Sequence, residues 1–147
     1  MKLSTKGRYG TRAMLDLALH YGEGPINLKE IAERQQISQR YLEHLILSLK
    51  TAGLVKSIRG SHGGFMLARS PSEIAMSQII EALEGSLCPV ECADDPGSCS
   101  RAEQCVTRTL WEELNRAMNQ VLESKNLQDM VEQYREKGQQ EQSMYYI

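Results

Sequence analysis

Four cysteines, Cys88, Cys92, Cys99 and Cys105, fall within eighteen residues, and the 147-residue sequence contains no others. A thiolate is at once a nucleophile, a soft metal ligand and a redox centre. Four in one segment therefore admit a metal or iron–sulfur site, a pair of disulfides, or a thiol redox switch. The segment reads LCPVECADDPGSCSRAEQC, rich in Pro, Gly, Asp and Ser, so these thiols are not placed as the small core hydrophobes that isolated cysteines usually become. The intervals between them are three, six and five residues. Structural zinc sites favour two close pairs of ligands, which this spacing fits poorly, and an all-thiolate iron–sulfur site suits it better. A thiol switch needs only two of the four.

Compartment and partners narrow the choice. The opening MKLSTKGRYGTRAML runs into Asp16 without an apolar stretch or a small-residue cleavage site, unlike a secretory leader. No apolar run approaches the ~18 residues of a membrane span. The reading is a cytoplasmic chain without a membrane partner, in a reducing compartment where structural disulfides are disfavoured. A catalytic Cys–His pair would need a partnered imidazole, yet His20, His44 and His62 fall at a helix end, in a second helix and in a turn. The chain reads as a non-enzyme. Its formal charge of −2 hides an asymmetry. Residues 1–70 carry eleven Lys and Arg against five Asp and Glu, a balance of +6, and residues 71–147 six against fourteen, a balance of −8. A basic first half is what a polyanion such as duplex DNA would meet.

The elements that must position these residues follow from periodicity. Tyr9, Ala13, Leu17 and Tyr21, widened by Met14 and Ala18, predict a helix over about 5–21 that ends at Gly22, Gly24 and Pro25. Asn27 with Glu30 reads as a capping box opening a short helix, and Ser38 caps a further helix with Tyr41, Leu42, Leu45, Ile46 and Leu49 on one face. Gly53 stands where a left-handed residue ends it. The alternation in 54–58, the Gly-rich turn 59–64 and the run 65–68 predict a two-stranded hairpin. Helix, helix and a hairpin with a basic tip is the order of a winged helix-turn-helix. The wing glycines allow close backbone approach, and Arg59 can enter a narrow, electronegative minor groove.

Ile79, Ile80 and Leu83 mark another helix ending at Gly85. Beyond the cysteines, Val106, Leu110, Trp111, Leu114, Met118, Val121 and Leu122 form an apolar stripe too broad for one small domain, which predicts a helix that packs in a homodimer. The expected fold is mostly α: a winged helix-turn-helix with a two-stranded wing, a cysteine loop and a long C-terminal dimerisation helix. The divisions are a DNA-binding domain over 1–84, a cluster-binding loop over 85–105, the dimerisation helix over 106–128 and a polar, disordered tail over 129–147.

Four segments in order, MKLSTKGRYGTRAMLDLA, ISQRYLEHL, GLVKSIRGSHGGFML and CVTRTLWEEL, make the chain resemble the iron–sulfur cluster regulators, the IscR-like winged helix-turn-helix transcription factors of bacteria. The resemblance covers nearly the whole sequence up to the tail. It implies a dimeric repressor or activator that binds promoter DNA and controls iron–sulfur assembly genes. It implies Arg59 as the wing arginine and Glu43 as a recognition-helix carboxylate that separates two operator classes. A carboxylate facing DNA repels phosphate and accepts only from a donor such as a cytosine amine. Arg40 and His44 stand where the family often carries smaller or amide residues. With Ser38, Tyr41, Gly60 and Gly63, these complete the candidate DNA contacts.

The resemblance also implies Cys92, Cys99 and Cys105 as cluster ligands, with one extra residue in the first interval, and a [2Fe–2S] rather than a [4Fe–4S] cofactor. The family's histidine three residues after the last cysteine is here Arg108. A guanidinium stays protonated and has no lone pair to give. Arg8 likewise replaces the acidic residue that some relatives recruit near that position. Cys88 is thereby the candidate fourth ligand, ahead of Glu91, Asp94 and Asp95 as oxygen donors, with water or a ligand from the partner chain as the remaining alternatives.

Overall fold

The structure is a computed structural model and describes residues 2–145. Helix α1 spans Thr5–Leu19, α2 Leu28–Gln35 and α3 Gln39–Thr51. Each begins at a side-chain cap. The Ser4 hydroxyl accepts from the Lys6 amide, Asn27 Oδ1 from the Lys29 amide and Ser38 Oγ from the Tyr41 amide, which satisfies amides that the first helical turn leaves unpaired. Gln36, left-handed at φ 54°, closes α2, and Gly53 at φ 77° follows α3. Ala13, Met14 and Leu17 of α1, Ile31 of α2, and Leu42, Leu45, Ile46 and Leu49 of α3 form the shared core. Tyr21, expected on the α1 stripe, is instead exposed, because the helix stops two residues earlier.

A buried carboxylate ties the first two helices together. Asp16 is 2% exposed and receives Arg34 Nε at 3.0 Å and Nη2 at 2.7 Å, with Gln35 Nε2 at 2.9 Å. Charge-assisted, forked bonding of this kind is the arrangement in which a buried carboxylate is tolerated. Arg34 is held above its ordinary range by its bond to Asp16.

Strands β1 (Val55–Ile58) and β2 (Gly64–Leu67) pair antiparallel, Val55 opposite Leu67 and Ile58 opposite Gly64. Ile26 extends this sheet by exchanging backbone bonds with Phe65 at 2.9 and 2.8 Å. A Cβ on Gly64 would collide with the Ile26 carbonyl, so only glycine lets the wing root close against the α1–α2 connection.

Helix α4 (Met76–Glu84) buries Met76, Ile79, Ile80 and Leu83 and ends at Gly85. The cysteine loop contains only a single turn, α5 (Glu91–Asp94), and a 3₁₀ turn at Pro96–Ser98. Helix α6 spans Val106–Ser124 and α7 Leu127–Tyr145. The expected dimerisation helix over 106–128 is therefore two helices, broken at Lys125–Asn126. There the chain bonds back to the start of α4 through Met76 N to Lys125 O and Leu127 N to Ile74 O, both 2.9 Å.

The tail expected to be disordered from 129 is helical as far as Tyr145, and only Tyr146 and Ile147 of it lie outside the described residues. Its helix is opened by a reciprocal cap, Asp129 N on Asn126 Oδ1 at 2.8 Å and Asn126 N on Asp129 Oδ2 at 2.9 Å. Leu127 and Val131 are buried in the core beside α1. Polar composition beyond Glu132 suggests disorder, but one capped turn with two buried residues anchors the helix.

Candidate functional site

Two regions carry the candidate chemistry. The first is the outward face of α3 with the wing. Because Leu42, Leu45, Ile46 and Leu49 are buried, the 3.6-residue period leaves Arg40, Glu43, His44 and Leu47 exposed together. Ser38 is exposed at the helix start, and its oxygen already accepts from Tyr41 N at 3.2 Å, leaving the hydroxyl proton to donate outward. Tyr41 sits elsewhere. It is half-buried, its hydroxyl 3.0 Å from Thr5 Oγ1 and its ring edge-on to Tyr9 at 6.1 Å and 84°. The structure thus places Tyr41 at the α1–α3 junction rather than on the open face. Leu47, 60% exposed, joins this face although the sequence reading does not single it out. An apolar side chain there suits a thymine methyl, and its only signal is an extra leucine outside the buried stripe.

Arg59 is exposed immediately after β1, with Gly60 and Gly63 on the same turn. The Gly63 amide bonds to the Gly60 carbonyl at 3.0 Å, and a Cβ on Gly63 would collide with the Ile58 carbonyl oxygen. Gly63 is thus required by the packing of the turn on itself, a different reason from close approach to a partner.

The second region is the cysteine loop. All four cysteines are free, Cys99 exposed and the others half-buried. Cys88 donates to the Val90 carbonyl at 3.3 Å and lines a cleft of about 610 Å³ with Leu3, Ile80, Glu84, Met118 and Val121. Cys105 stands at the N-terminus of α6, its sulfur 3.1 Å from Thr107 Oγ1. The Thr107 hydroxyl, followed by the Arg108 amide, holds this thiol below its ordinary range. Among the described residues, no three Cys, His, Asp or Glu side chains converge as a closed metal site would require. The loop carries the thiols on one segment between α4 and α6 without assembling them into such a site.

Arg108 cannot be a ligand, and its contacts show what it does. Nε donates to the Cys92 carbonyl at 3.2 Å, Nη1 to the Ala102 carbonyl at 3.1 Å, and Nη2 pairs with Glu112 at 2.8 Å. One guanidinium thus holds both arms of the loop against α6. Asp95 Oδ1 closes its own turn, accepting from the Gly97 amide at 3.1 Å.

Beside the loop, α6 buries no residue, and Val106, Leu110 and Val121 are exposed at 84%, 55% and 61%. No helix among the described residues is long and apolar enough to cross a membrane.

Comparison with known proteins agrees with this architecture. The family model Rrf2, an iron-dependent transcriptional regulator, matches residues 3–133. The transcriptional regulator CymR of Bacillus subtilis is 45% identical over 147 residues, covering 100% of both chains. The solved structure of CymR, described as the global cysteine regulator of B. subtilis, has a TM-score of 0.75 at 44% identity and covers 90% of this chain and 97% of its own. Protein rrf2 of Nitratidesulfovibrio vulgaris is 44% identical over 131 residues, 89% of this chain and 87% of the relative. The solved structure of T. potens IscR has a TM-score of 0.75 at 47% identity, covering 91% of this chain and 88% of that one. The order of helices, the wing and these likenesses together establish that the chain belongs to the Rrf2 family of DNA-binding transcriptional regulators.

Proposed function

We propose that this regulator acts as a homodimer whose cysteine loop holds an iron–sulfur cluster, [2Fe–2S] rather than [4Fe–4S], and that loading of the loop sets operator choice at iron–sulfur assembly genes. The observation that carries the reading is four free thiols on one loop, at the junction of the DNA-reading head and α6. The donor set fits: four thiolates complete the ligation of such a cluster without any other group. Cys92, Cys99 and Cys105 supply three of them and Cys88 the fourth. A bound cluster would supply a crosslink that iron shortage or oxidation removes.

The residues of the chain do the rest. Arg108 keeps the carbonyls of Cys92 and Ala102 against α6, so both arms of the loop are tied to the helix that follows it. Cys88, Cys92, Cys99 and Cys105 would hold the cluster, which would supply a crosslink between the segment that follows α4 and the start of α6. Two α6 helices pairing through Leu110 and Val121 would space two heads on one duplex, so a change at that link alters the spacing and tilt of the reading helices. Arg59 enters the minor groove, while Arg40, Glu43 and His44 face base edges in the major groove.

A second reading, a thiol-redox or cysteine-responsive repressor, is favoured by the full-length likeness to CymR. The two separate in one experiment. Protein reconstituted anaerobically with ferrous iron and sulfide, and protein left unloaded, each select duplexes from a random-sequence library. Different operator preferences support cluster sensing. Identical preferences that shift only on thiol oxidation, without iron, support the second reading.

A further inference from the structure

Glu84, the last residue of α4, does something that its position in the sequence does not suggest. Its Oε1 accepts from the Ser4 amide at 2.9 Å, the Ser4 hydroxyl at 2.5 Å and the Gly7 amide at 3.0 Å. A carboxylate at a helix N-terminus is favoured both by the unpaired amides and by the helix dipole, and here it comes from a helix eighty residues away. The sequence makes room for it. A Cβ on Gly7 would lie 2.6 Å from Glu84 Oε1, and one on Gly10 would collide with the Leu83 side chain. These two helical glycines let the end of α4 press directly onto α1.

The same first turn of α1 carries Thr5, whose hydroxyl meets the Tyr41 hydroxyl of α3 at 3.0 Å, and one turn on Tyr9 meets the Tyr41 ring edge-on. In the other direction, Gly85 turns the chain at φ 74°, and Cys88 three residues later shares the cleft with Glu84 and Leu3. A single carboxylate therefore stands between the root of the cysteine loop and the helix that faces DNA.

We propose that Glu84 is a positioning residue for DNA binding: its carboxylate fixes the first turn of α1 and, through the Thr5–Tyr41 bond, the tilt of α3 against the major groove. The hydrogen bonds add a directional link to the apolar core that α1, α3 and α4 share, and packed side chains and hydrogen-bond networks are both means by which sites are coupled. The segment from Gly85 to Cys88 follows Glu84 directly, so it is covalently joined to this contact. The inference concerns DNA affinity of the chain as such and does not require that the loop hold a cluster.

The test measures affinity of Glu84→Gln, Ser4→Ala, Thr5→Val and the double variant Glu84→Gln/Thr5→Val for a duplex that the wild-type protein selects from a random-sequence library, well below the melting temperature of each. Glu84→Gln keeps the shape but removes the charge. Ser4→Ala removes the hydroxyl contact from the opposite side together with the Lys6 cap, a modest loss in stability that measurement well below the melting temperature separates from binding. A relay in series predicts that each single variant weakens binding at least fivefold, with the number of phosphate contacts, read from the salt slope, unchanged. It also predicts that the double variant binds no worse than the weaker single one. Affinities within twofold of wild type for Glu84→Gln and Ser4→Ala would overturn the proposal, as would losses that multiply in the double variant. Should Glu84→Gln not fold, Ser4→Ala combined with Thr5→Val separates the same two outcomes.

Discussion

Arg108 donates to the backbone carbonyl of Cys92 across sixteen residues of chain, at 3.2 Å, while its second nitrogen holds Ala102. An arginine that cannot ligate iron thus fixes the backbone of a residue that can. Its charge sits in the first turn of α6, where the helix dipole disfavours a cation, and the ion pair with Glu112 one turn on offsets this. Arg108→Ala is expected to accelerate amide hydrogen exchange between residues 92 and 102 at least tenfold. Global stability should shift by less than about 1 kcal/mol, since most of the loop is exposed and contributes little core. Unchanged exchange would mean that the loop is held by other contacts.

Arg59 is exposed on the wing turn, so its removal should not unfold the protein. Arg59→Ala is expected to weaken duplex binding and to lower the slope of log K against log salt by about one, the signature of one lost cationic contact. Fluorescence anisotropy over a salt series reads both quantities. An unaltered slope would place Arg59 outside the interface.

Glu43 shares its exposed helical face with Arg40 and His44. A carboxylate among bases repels phosphate and tolerates few partners, so it discriminates more than it attracts. Glu43→Ala should broaden the set of duplexes recovered by selection from a random-sequence library, with affinity for the best wild-type sequence reduced less than tenfold. Recovery of the same narrow set would return Glu43 to an ordinary solvated role.

The Ser4 hydroxyl, with the Ser4 and Gly7 amides, holds the Glu84 carboxyl below its ordinary range. Its folded value therefore lies below the unfolded value of about 4.3. The stability it contributes is present above that unfolded value and is lost as pH falls through the depressed folded one. The difference in melting temperature between wild type and Glu84→Gln should thus be largest above about pH 5 and shrink on acidification. Thermal melts between pH 3 and 6 check it, and a constant difference would mean that the carboxylate charge contributes nothing.

Cys88 alone of the four thiols lines the cleft between α4 and α6. As fourth ligand, its loss should release the cluster within minutes in air and cut iron retained on anaerobic purification by at least half. Cys88→Ala that keeps an unaltered visible spectrum would move the fourth ligand elsewhere.

The head was legible in the sequence because its signals are local. Asn27, Ser38 and Gly53 mark helix ends, apolar periods mark buried faces, and the alternation around Val55 and Phe65 marks a hairpin whose observed register runs from Val55–Leu67 to Ile58–Gly64. What the sequence concealed depends on residues far apart in the chain. Asp16 meets Arg34, and Glu84 meets Ser4, and neither pairing has a spacing rule. Gly7 and Gly10 were the available hint, since glycines inside a helical pattern often mark a close approach. The break at Lys125 was hidden for another reason. The apolar stripe runs on through Leu122 to Leu127, and only the Asn126–Asp129 cap reveals that two helices share it. At the cysteine loop, residue types were legible but their arrangement was not, because it is held by contacts such as Arg108 on the Cys92 and Ala102 carbonyls rather than by an apolar period.

Whether the cysteine loop holds a cluster is decided by iron and acid-labile sulfide counts on freshly purified anaerobic protein, taken with its visible spectrum. A loaded loop gives brown protein with equal iron and sulfide, about two of each per chain for a [2Fe–2S] site, and charge-transfer bands that bleach in air. Colourless protein carrying one zinc per chain, or no metal at all, would refute cluster binding.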